Sequence, residues 1–477
     1  MSCFAFCGGA AGRAEEVSVA GAAKVPLADA PRVPLAANEV IIGSVSLANS
    51  AYHANVYRVP HADPGKLEAA LALALAREPV FAGRIAGATV ALTNDGVAFS
   101  VLQIGEDFAA AAASGDQAWL LQAADYRSPG RVMAGLEPVM TVRLQRFRDC
   151  CTIGVACSHA VADGMTLAAF VTSLAEAARE GALSAKETDT PHREKIAALV
   201  AASALPDDLS YSFSIKRLLI EKAVLPLVFA AQNFNFRAGK EPSLRRRRVS
   251  FSNHDLQAFK AAATAKGEEG KRKKLAGKRL SKADWLTTQD ALCAHLLHAL
   301  AANVLPTSSA GRAMVVFWLD ARSVLGLPLS FCSGGAFTIW PIPIEGDVRT
   351  LTRPQLADAI RAGMERFKQE GASWFAMMLK VQEEGTFFQM MMDFQTRLSS
   401  CDLVLKINNL SKTPLLDFGA AAGAATSMTS TAGPSVVLPT RDGADVLLLD
   451  EVFLKATPET IEQTLRDMRE IPSVDSP

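Results

Sequence analysis

The sequence predicts a two-domain α/β protein in which mixed sheets are flanked by helices. Three observations carry that expectation. At 477 residues the chain exceeds what one hydrophobic core usually organises. Segments rich in β-branched residues alternate along it with stretches whose apolar residues recur at helical spacing. Hydrophobic residues make up 49% and charged ones 21%, which suits a globular protein with a sizeable core and excludes disordered or fibrous classes.

The elements follow in chain order. Residues 1–38 are rich in Ala, Gly and Pro without periodicity and read as a loosely ordered lead-in. Glu39 to Leu47 and Ala54 to Val59 read as strands, the second closed by Pro60 and Pro64. A helix from Gly65 places Leu67, Leu71 and Leu75 on one face and ends at Glu78-Pro79, leaving Phe81 to Ile85 as the entry to a further strand. Val90 to Thr93 and Val97 to Gln103 flank Asn94-Asp95-Gly96, a step that predicts a hairpin. Val139 to Phe147 and Cys151 to Ser158 form a second strand pair around Arg148-Asp149. After Asp163-Gly164, the stripe Leu167, Phe170, Val171, Leu174 and Ala178 predicts an amphipathic helix ending near Arg179. This first domain spans residues 39–190, and 191–240, broken by Pro191, Pro206 and Pro226, reads as a crossover.

The second domain, residues 241–477, restarts with a strand from Arg245 to Ser252. Lys266 to Lys282 is polar and Gly-containing, which predicts a mobile loop. A helix from Thr287 to Ala302 and strands over Met314 to Leu319 and Ala336 to Ile344 come next. Helices over Arg353 to Lys368 and Phe375 to Glu383, strands over Asp402 to Ile407, Ser435 to Leu438 and Val446 to Phe453, and a last helix from Pro458 to Arg469 complete the reading.

Composition removes several function classes. The 49 basic and 49 acidic residues cancel, so no global field recruits nucleic acid or an anionic membrane. Eight cysteines without a C-x-x-C pair or zinc spacing read as reduced thiols of a cytoplasmic protein, not as a disulfide framework or metal site. The start lacks a secretory signal, and Cys3 and Cys7 are acylation candidates for weak membrane association without a second anchoring signal. Leu218 to Gln232, interrupted by Glu221, Lys222 and Pro226, is too short to span a bilayer and predicts no transmembrane segment. No P-loop or Gly-rich dinucleotide fingerprint occurs, so nucleotide-triphosphate and hydride chemistry lack support.

What remains is His159-Ala160-Val161-Ala162-Asp163-Gly164, where a predicted strand turns into a predicted helix. A neutral imidazole there would take a proton from a hydroxyl or amine attacking a carbonyl, worth about a hundred- to ten-thousand-fold in rate. Asp163 either acts beside His159 or points away to brace the turn through a buried arginine, and Gly164 permits backbone angles that a side chain resists. The bland alternative is a strand-end histidine followed by an Asp-Gly turn. Cys157 lies on the same strand face as His159 at period two, either as a thiol nucleophile or as an ordinary buried cysteine.

Ser158 to Gly164 resembles the H-x-x-x-D signature of the BAHD superfamily of acyl-CoA-dependent acyltransferases. Further stretches agree in order. Phe81-Ala82-Gly83-Arg84-Ile85 resembles its P-L-A-G-R segment, Thr287 to Leu292 its S-T-x-x-A-L helix start, Asp320-Ala321-Arg322 its D-x-R motif, and Asp417-Phe418-Gly419 the opening of its D-F-G-W-G motif. Arg441-Asp442-Gly443 before the closing strand also fits. The similarity spans residues 40–457.

The resemblance implies a chloramphenicol-acetyltransferase-like, CoA-dependent acyltransferase fold with the active site in an interdomain channel. It implies acyl transfer from acyl-CoA, as co-substrate, to a small-molecule alcohol or amine by a monomer with no bound cofactor. It makes His159 the base, pairs Asp163 with Arg322 structurally, and leaves Gly164, Asp417 and Gly419 as structural support. At Asn408-Asn409 the family has Thr or Ser followed by Ser or Asn, so either asparagine is an oxyanion donor candidate, while paired asparagines after a strand are also ordinary turn formers.

The chain departs from the family where Ala420 and Ala421 replace Trp and Gly, which predicts a loosened loop. Leu410 replaces a pocket tryptophan, and Ser333 to Ala336 lacks the asparagine of an F-G-N segment. Between Lys240 and Lys282, fourteen Lys or Arg stand against four acids. Lys271 to Lys274 read as a solvated face, while Lys260, Lys278 and Lys282 are candidates for CoA phosphates. Two other readings stand beside the acyltransferase: a condensation-type or wax-ester-type domain, which usually shows a histidine where Ser158 stands, and a catalytically lapsed binding scaffold.

Overall fold

The computed structural model describes residues 15–21, 26, 29–34, 52–87, 89–113, 124–125, 127, 129–184, 190–202, 246–264, 286–328, 336–383, 394, 396–430, 435–453 and 456–471. In the first half run β1 (Glu15–Val19), β2 (Arg32–Pro34), β3 (Tyr52–Val59), α1 (Pro64–Arg77), β4 (Arg84–Ala86), β5 (Thr89–Ala91), β6 (Val97–Gln103), β7 (Met140–Arg146), β8 (Cys151–Ser158), α2 (Gly164–Glu180) and α3 (Thr190–Ala202). The second half contributes β9 (Arg246–Ser252), α4 (Asn253–Ala263), α5 (Thr288–Val304), β10 (Ala313–Asp320), β11 (Phe337–Ile344), α6 (Arg353–Glu383), β12 (Leu403–Asn409), β13 (Thr426–Ser430), β14 (Val436–Thr440), β15 (Gly443–Leu449) and α7 (Pro458–Arg469).

These strands form two six-stranded mixed sheets, ordered β1, β6, β7, β8, β3, β13 and β11, β10, β12, β14, β15, β9, and a three-stranded sheet ordered β2, β5, β4. β8 is buried along its whole length, because strands pair on both edges and its faces are covered, the setting in which a continuous apolar run is stable. α1 and α2 pack on this first sheet; Asp63 caps α1 by accepting from the Gly65 and Lys66 N–H groups, and Phe81 meets Phe170 of α2 edge-on at 4.7 Å. The second core lies between its sheet and α4, α5 and α6, with Thr287 and Asp290 forming a reciprocal capping box that starts α5.

The structure departs from sequence expectation in four places. The lead-in is not uniformly loose: β1 pairs antiparallel with β6, and β2 pairs with β5. Asn94-Asp95-Gly96 makes no hairpin, because β5 and β6 belong to different sheets. Asn94 and Gly96 both have positive φ, at 53° and 82°, and the Asn94 amide oxygen accepts from the Gly21 N–H, so the turn moves the chain from one sheet to the other. The two helices expected over 353–383 are one continuous α6. The Phe367 ring lies against Gly371, and Trp374 donates to the Ile339 carbonyl, so packing outweighs the glycine's cost of about 1 kcal/mol. Finally, β13 belongs to the second half of the chain but pairs antiparallel with β3 in the first sheet, with a register shift between Ser427 and Thr429.

Helix α3, within the expected crossover, packs Val200 against Leu325, Phe375 and Leu379 of the second half. The strand expected over Glu39 to Leu47, the Leu218 to Gln232 and Lys266 to Lys282 segments, Ser333 to Gly335, Cys3 and Cys7 lie outside the described residues. Among those described, Cys150, Cys151, Cys157, Cys293 and Cys401 are free thiols, no helix is long and apolar enough to cross a membrane, and no His, Cys, Asp and Glu cluster is arranged to hold a metal ion.

Candidate active site

At the end of β8 the Ser158 carbonyl accepts from the Val161 and Ala162 N–H groups, which folds residues 159–161 into a tight turn before α2. His159 occupies the first position of that turn. The residue is partly exposed, with Nδ1 buried. Burial pushes the imidazole down to about 4, against the raising influence of the Asp163 carboxylate and the Ala162 backbone. The ring is therefore neutral at pH 7 and able to accept a proton.

Asp163 faces away from this task. It caps α2 by accepting from the Thr166 N–H at 2.7 Å, and its second oxygen accepts from the Ala336 N–H at 2.9 Å. Arg322 supplies the rest: Nη1 lies 3.0 Å from one carboxylate oxygen and Nη2 3.3 Å from the other. The guanidinium, 0% exposed, also donates to Asp320 at 2.8 Å and to the Thr166 hydroxyl at 2.8 Å. Burial would raise the Asp163 carboxyl, and the Arg322 guanidinium outweighs it and holds that carboxyl below the usual range. Asp320, sharing the same arginine but lying beside Asp163, is instead raised, first by burial. This network joins the two halves within four residues of His159. Gly164, the first residue of α2, has no positive φ, so the special backbone expected of it is not used.

The second sheet presents one face to this turn. Asn408 pairs in register with Trp318 on one side and Val436 on the other, so the three side chains share a face. On that face Leu410, Val436, Leu438 and Leu447 cluster with Met165 of α2 packed against them. Beyond Trp318, on β11, the Phe337 ring lies 6.1 Å from the His159 ring, centroid to centroid, tilted by 46°. Asn408 thus looks toward the half of the protein that carries His159. Asn409 occupies the opposite phase of β12, and its amide oxygen accepts from the Ser411 N–H at 2.8 Å in a turn. Lys260 sits on α4, packed over the other face of the sheet, away from His159.

A family model described as the Transferase family matches residues 51–335, more than half of the chain. This chain belongs to that family, the BAHD acyltransferases. Solved structures share the fold. Vinorine synthase superimposes with a TM-score of 0.58 at 16% identity, covering 96% of this chain and 100% of its own. TRI101 of F. graminearum, complexed with coenzyme A and T-2 mycotoxin, gives 0.59 at 14% identity, covering 91% and 99%. The first condensation domain of the calcium-dependent antibiotic synthetase, with a substrate analogue, gives 0.57 at 14% identity, covering 93% and 98%. No curated protein sequence matches the chain.

The loop that departs from the BAHD pattern is not loosened. The Phe418 N–H donates to the Gly423 carbonyl, Gly423 to Gly419 and Ala425 to Leu416, while the Asp417 carboxylate accepts from the Gly419 N–H at 2.9 Å. Phe418, Ala421 and Ala422 are buried in the first core, and the Asp63 N–H donates to the Ala421 carbonyl. Gly419 has a φ of 54°, and a Cβ there would meet Arg179 at 3.0 Å, so this BAHD chain keeps the glycine for backbone and space while a small Ala421 fills the core. Asp417 and Gly419 stand in this docked loop, not beside His159. Cys157 is sealed in the first core, where burial pushes its thiol up, and its Sγ lies 3.6 Å from the Ser158 carbonyl. It stays protonated, unsuited to a covalent acyl-enzyme.

Sequence reading missed Trp318, Phe337, Met165 and the Ala336 N–H. The strand over Ala336 to Ile344 was legible, and alternation along it singles out two sets of side chains. Nothing in alternation says which set meets the other half.

Proposed function

We propose that this BAHD chain transfers an acyl group from a CoA thioester to a hydroxyl or amine of a small-molecule acceptor, with His159 as general base. The observation that carries the reading is the neutral imidazole of a partly exposed residue at the meeting of the two halves, on a turn whose only carboxylate among the described residues is already saturated by Arg322 and backbone donors. Asp163 and Arg322 hold the turn and take no proton.

In the proposed reaction the acceptor O–H or N–H attacks the thioester carbonyl while His159 Nε2 takes its proton. The carbonyl electron pair moves to oxygen, and the tetrahedral oxyanion accepts a hydrogen bond from the Asn408 amide, a contact worth about 2.7 to 4 kcal/mol in such sites. Collapse re-forms the carbonyl, breaks the C–S bond and releases CoA thiolate, which recovers the proton from the imidazolium. Asn408 is preferred to Asn409 because its side chain lies on the sheet face that meets the half carrying His159. CoA is read as a co-substrate, the protein as a monomer, and its free thiols support a reducing, cytoplasmic setting. A condensation-type reading is disfavoured by Ser158, a buried residue whose hydroxyl accepts from the Ala160 N–H where that class usually has a second histidine.

Release of CoA from a panel of acyl-CoA donors and small alcohols or amines tests the proposal. His159→Ala is expected to lower kcat by about a hundred- to ten-thousand-fold with the fold intact. Activity retained in His159→Ala but lost in Cys157→Ala would overturn the direct mechanism. Absence of both turnover and CoA binding would favour a scaffold.

A further inference from the structure

Phe337 is the first residue of β11, in the opposite phase from Thr338 and Trp340, which are both buried. It is half-buried and joins neither of the two main cores. Among the described residues the one aromatic ring it meets is the His159 imidazole, at 6.1 Å between centroids with the planes tilted by 46°. That separation lies within the range over which rings attract, in a tilted rather than a face-to-face arrangement. A large apolar side chain that adds to neither core, yet lies against the group proposed to take the proton, has its effect at that group.

Both rings are held from one point. The Asp163 carboxylate, four residues after His159, caps α2 through the Thr166 N–H and also accepts from the N–H of Ala336, the residue before Phe337. The Ala336 carbonyl in turn accepts from the Ala321 N–H at 2.6 Å. Phe337 itself stands in register opposite Asp320, which shares the Arg322 guanidinium with Asp163. A short chain of hydrogen bonds therefore sets where the two rings meet. An imidazole carried on a turn has several staggered rotamers open to it, and a fixed ring beside it removes some of them and keeps water from that side. The charged groups on the surrounding elements are Asp163 ahead of α2, Asp320 and Arg322 at the end of β10, and Lys406 on β12. Arg58 of β3 and Arg143 and Arg146 of β7 pair with β8 no nearer to His159 than Gly154. A substitution at Phe337 leaves every one of these charges in place.

We infer that Phe337 is a positioning residue, whose ring fixes the orientation of the His159 imidazole and keeps water from one side of it. The inference rests on the reading of His159 as the base of acyl transfer, and adds to it the group that aims that base.

Phe337→Ala removes the ring and Phe337→Tyr keeps it. Kinetics at stepped pH, with the donor and acceptor that wild type turns over fastest, give the plateau kcat, KM and the acid limb. NMR of protein labelled with carbon-13 at the histidine ring titrates the same imidazole without turnover, its signal assigned by its absence in His159→Ala. In Phe337→Ala the plateau kcat is expected to fall by about ten- to a hundredfold with KM within about threefold of wild type. The acid limb and the NMR midpoint are expected to rise from about 4 toward 6.5 as water reaches the ring. A more basic imidazole that kept its place would take the proton faster, so a lower kcat together with a higher midpoint marks a base that has lost its aim. Loss of folded protein alone does not move the midpoint of what remains folded. Phe337→Tyr is expected to stay within about threefold of wild type in kcat and to keep the midpoint near 4. Should Phe337→Ala not fold, Phe337→Leu, which keeps apolar volume without the ring, is expected to show the same two changes to a smaller extent. An unmoved midpoint without the ring, an equal kcat loss in Phe337→Tyr, or a raised KM with kcat unchanged overturns the inference. Should wild type transfer nothing, the acyl-transfer reading fails and NMR still decides the contact. A midpoint that rises in Phe337→Ala but not in Phe337→Tyr upholds the hold on the imidazole, and equal midpoints in all three proteins overturn it as well.

Discussion

Replacing Arg322 by leucine tests whether Asp163 is a brace. The carboxylate is 2% exposed and the guanidinium 0%, so neither charge has water to fall back on once its partner is gone. At the 3.0 Å contact, with an effective dielectric near 20, the Coulomb attraction is about 5 kcal/mol. Mutational experience with breaking one side of a buried pair gives about 3 to 5 kcal/mol. Asp320, with 22% of its side chain exposed, is hydrated in part when Arg322 is removed, so the loss falls mainly on Asp163. Asp163→Asn should cost a comparable amount, since its oxygen still accepts from the Thr166 N–H but its new amide opposes two donors, the Ala336 N–H and Arg322 Nη1.

Urea unfolding at pH 7 of wild type, both single variants and the double variant gives the coupling energy, expected above about 2 kcal/mol for groups in contact. The sign with pH is fixed by the lowered Asp163 carboxyl. Its contribution is complete above the unfolded value of 3.8 and is lost as pH falls through the lower folded value. Wild-type and Asp163→Asn stabilities should therefore converge only below pH 3.8. Single variants that each cost less than about 1 kcal/mol with near-zero coupling would refute the brace. So would an Asp163→Asn protein of undiminished stability that has lost its turnover, because that pattern belongs to a proton relay.

Three further outcomes are expected. The acid limb of kcat/KM should report the His159 imidazole near pH 4, and a limb at 6.5 or above would contradict its burial. Asn408→Ala should lower kcat by about a hundred- to a thousandfold, while Asn409→Ala should shift the urea midpoint and leave kcat within a few-fold; the reverse pattern would reassign the oxyanion donor. His295, stacked on Phe259 at 4.1 Å with Nε2 at 2.9 Å from the Met468 carbonyl, is pushed down to about 4 by burial. Between pH 6.5 and 4 the unfolded chain takes up a proton there that the folded chain refuses, so stability falls by up to about 3 kcal/mol, and His295→Phe should flatten that slope in unfolding measurements at stepped pH.

Local chemistry made much of the fold legible. The stripe from Leu167 to Ala178 placed α2, the helical stretch from Thr287 to Ala302 placed α5, and the apolar run at 151–158 announced β8. The Asp163 and Arg322 pair lies 159 residues apart in sequence, and spacing alone offered only an unnamed arginine; the D-x-R resemblance supplied the partner that the geometry brings into contact. Asn408 and Asn409 differ by one step of a strand, which reverses their faces, and register is a property of partner strands that a single segment does not carry. The Asp95-Gly96 step read as a hairpin because turn chemistry reports a change of direction but not which sheet the chain enters next. Thr426 to Ser430, a polar stretch with little apolar alternation, gave no sign of being a strand, since it is recruited by the β3 edge.

That recruitment bears on how the protein is made. The β3 edge emerges from the ribosome early, whereas Thr426–Ser430 emerges only after most of the 477 residues have been translated. Until then a nascent first half presents a long, largely apolar strand with unpaired N–H and C=O groups on one side, the kind of edge on which chains stick to one another. Closing it requires a contact of very high sequence separation, which slows folding and leaves an interval in which chaperone capture competes with aggregation. Expressing residues 1–240 alone should therefore yield aggregated protein. Supplying the missing strand in trans, as a peptide covering the Leu416 to Ser430 loop and strand, should improve recovery.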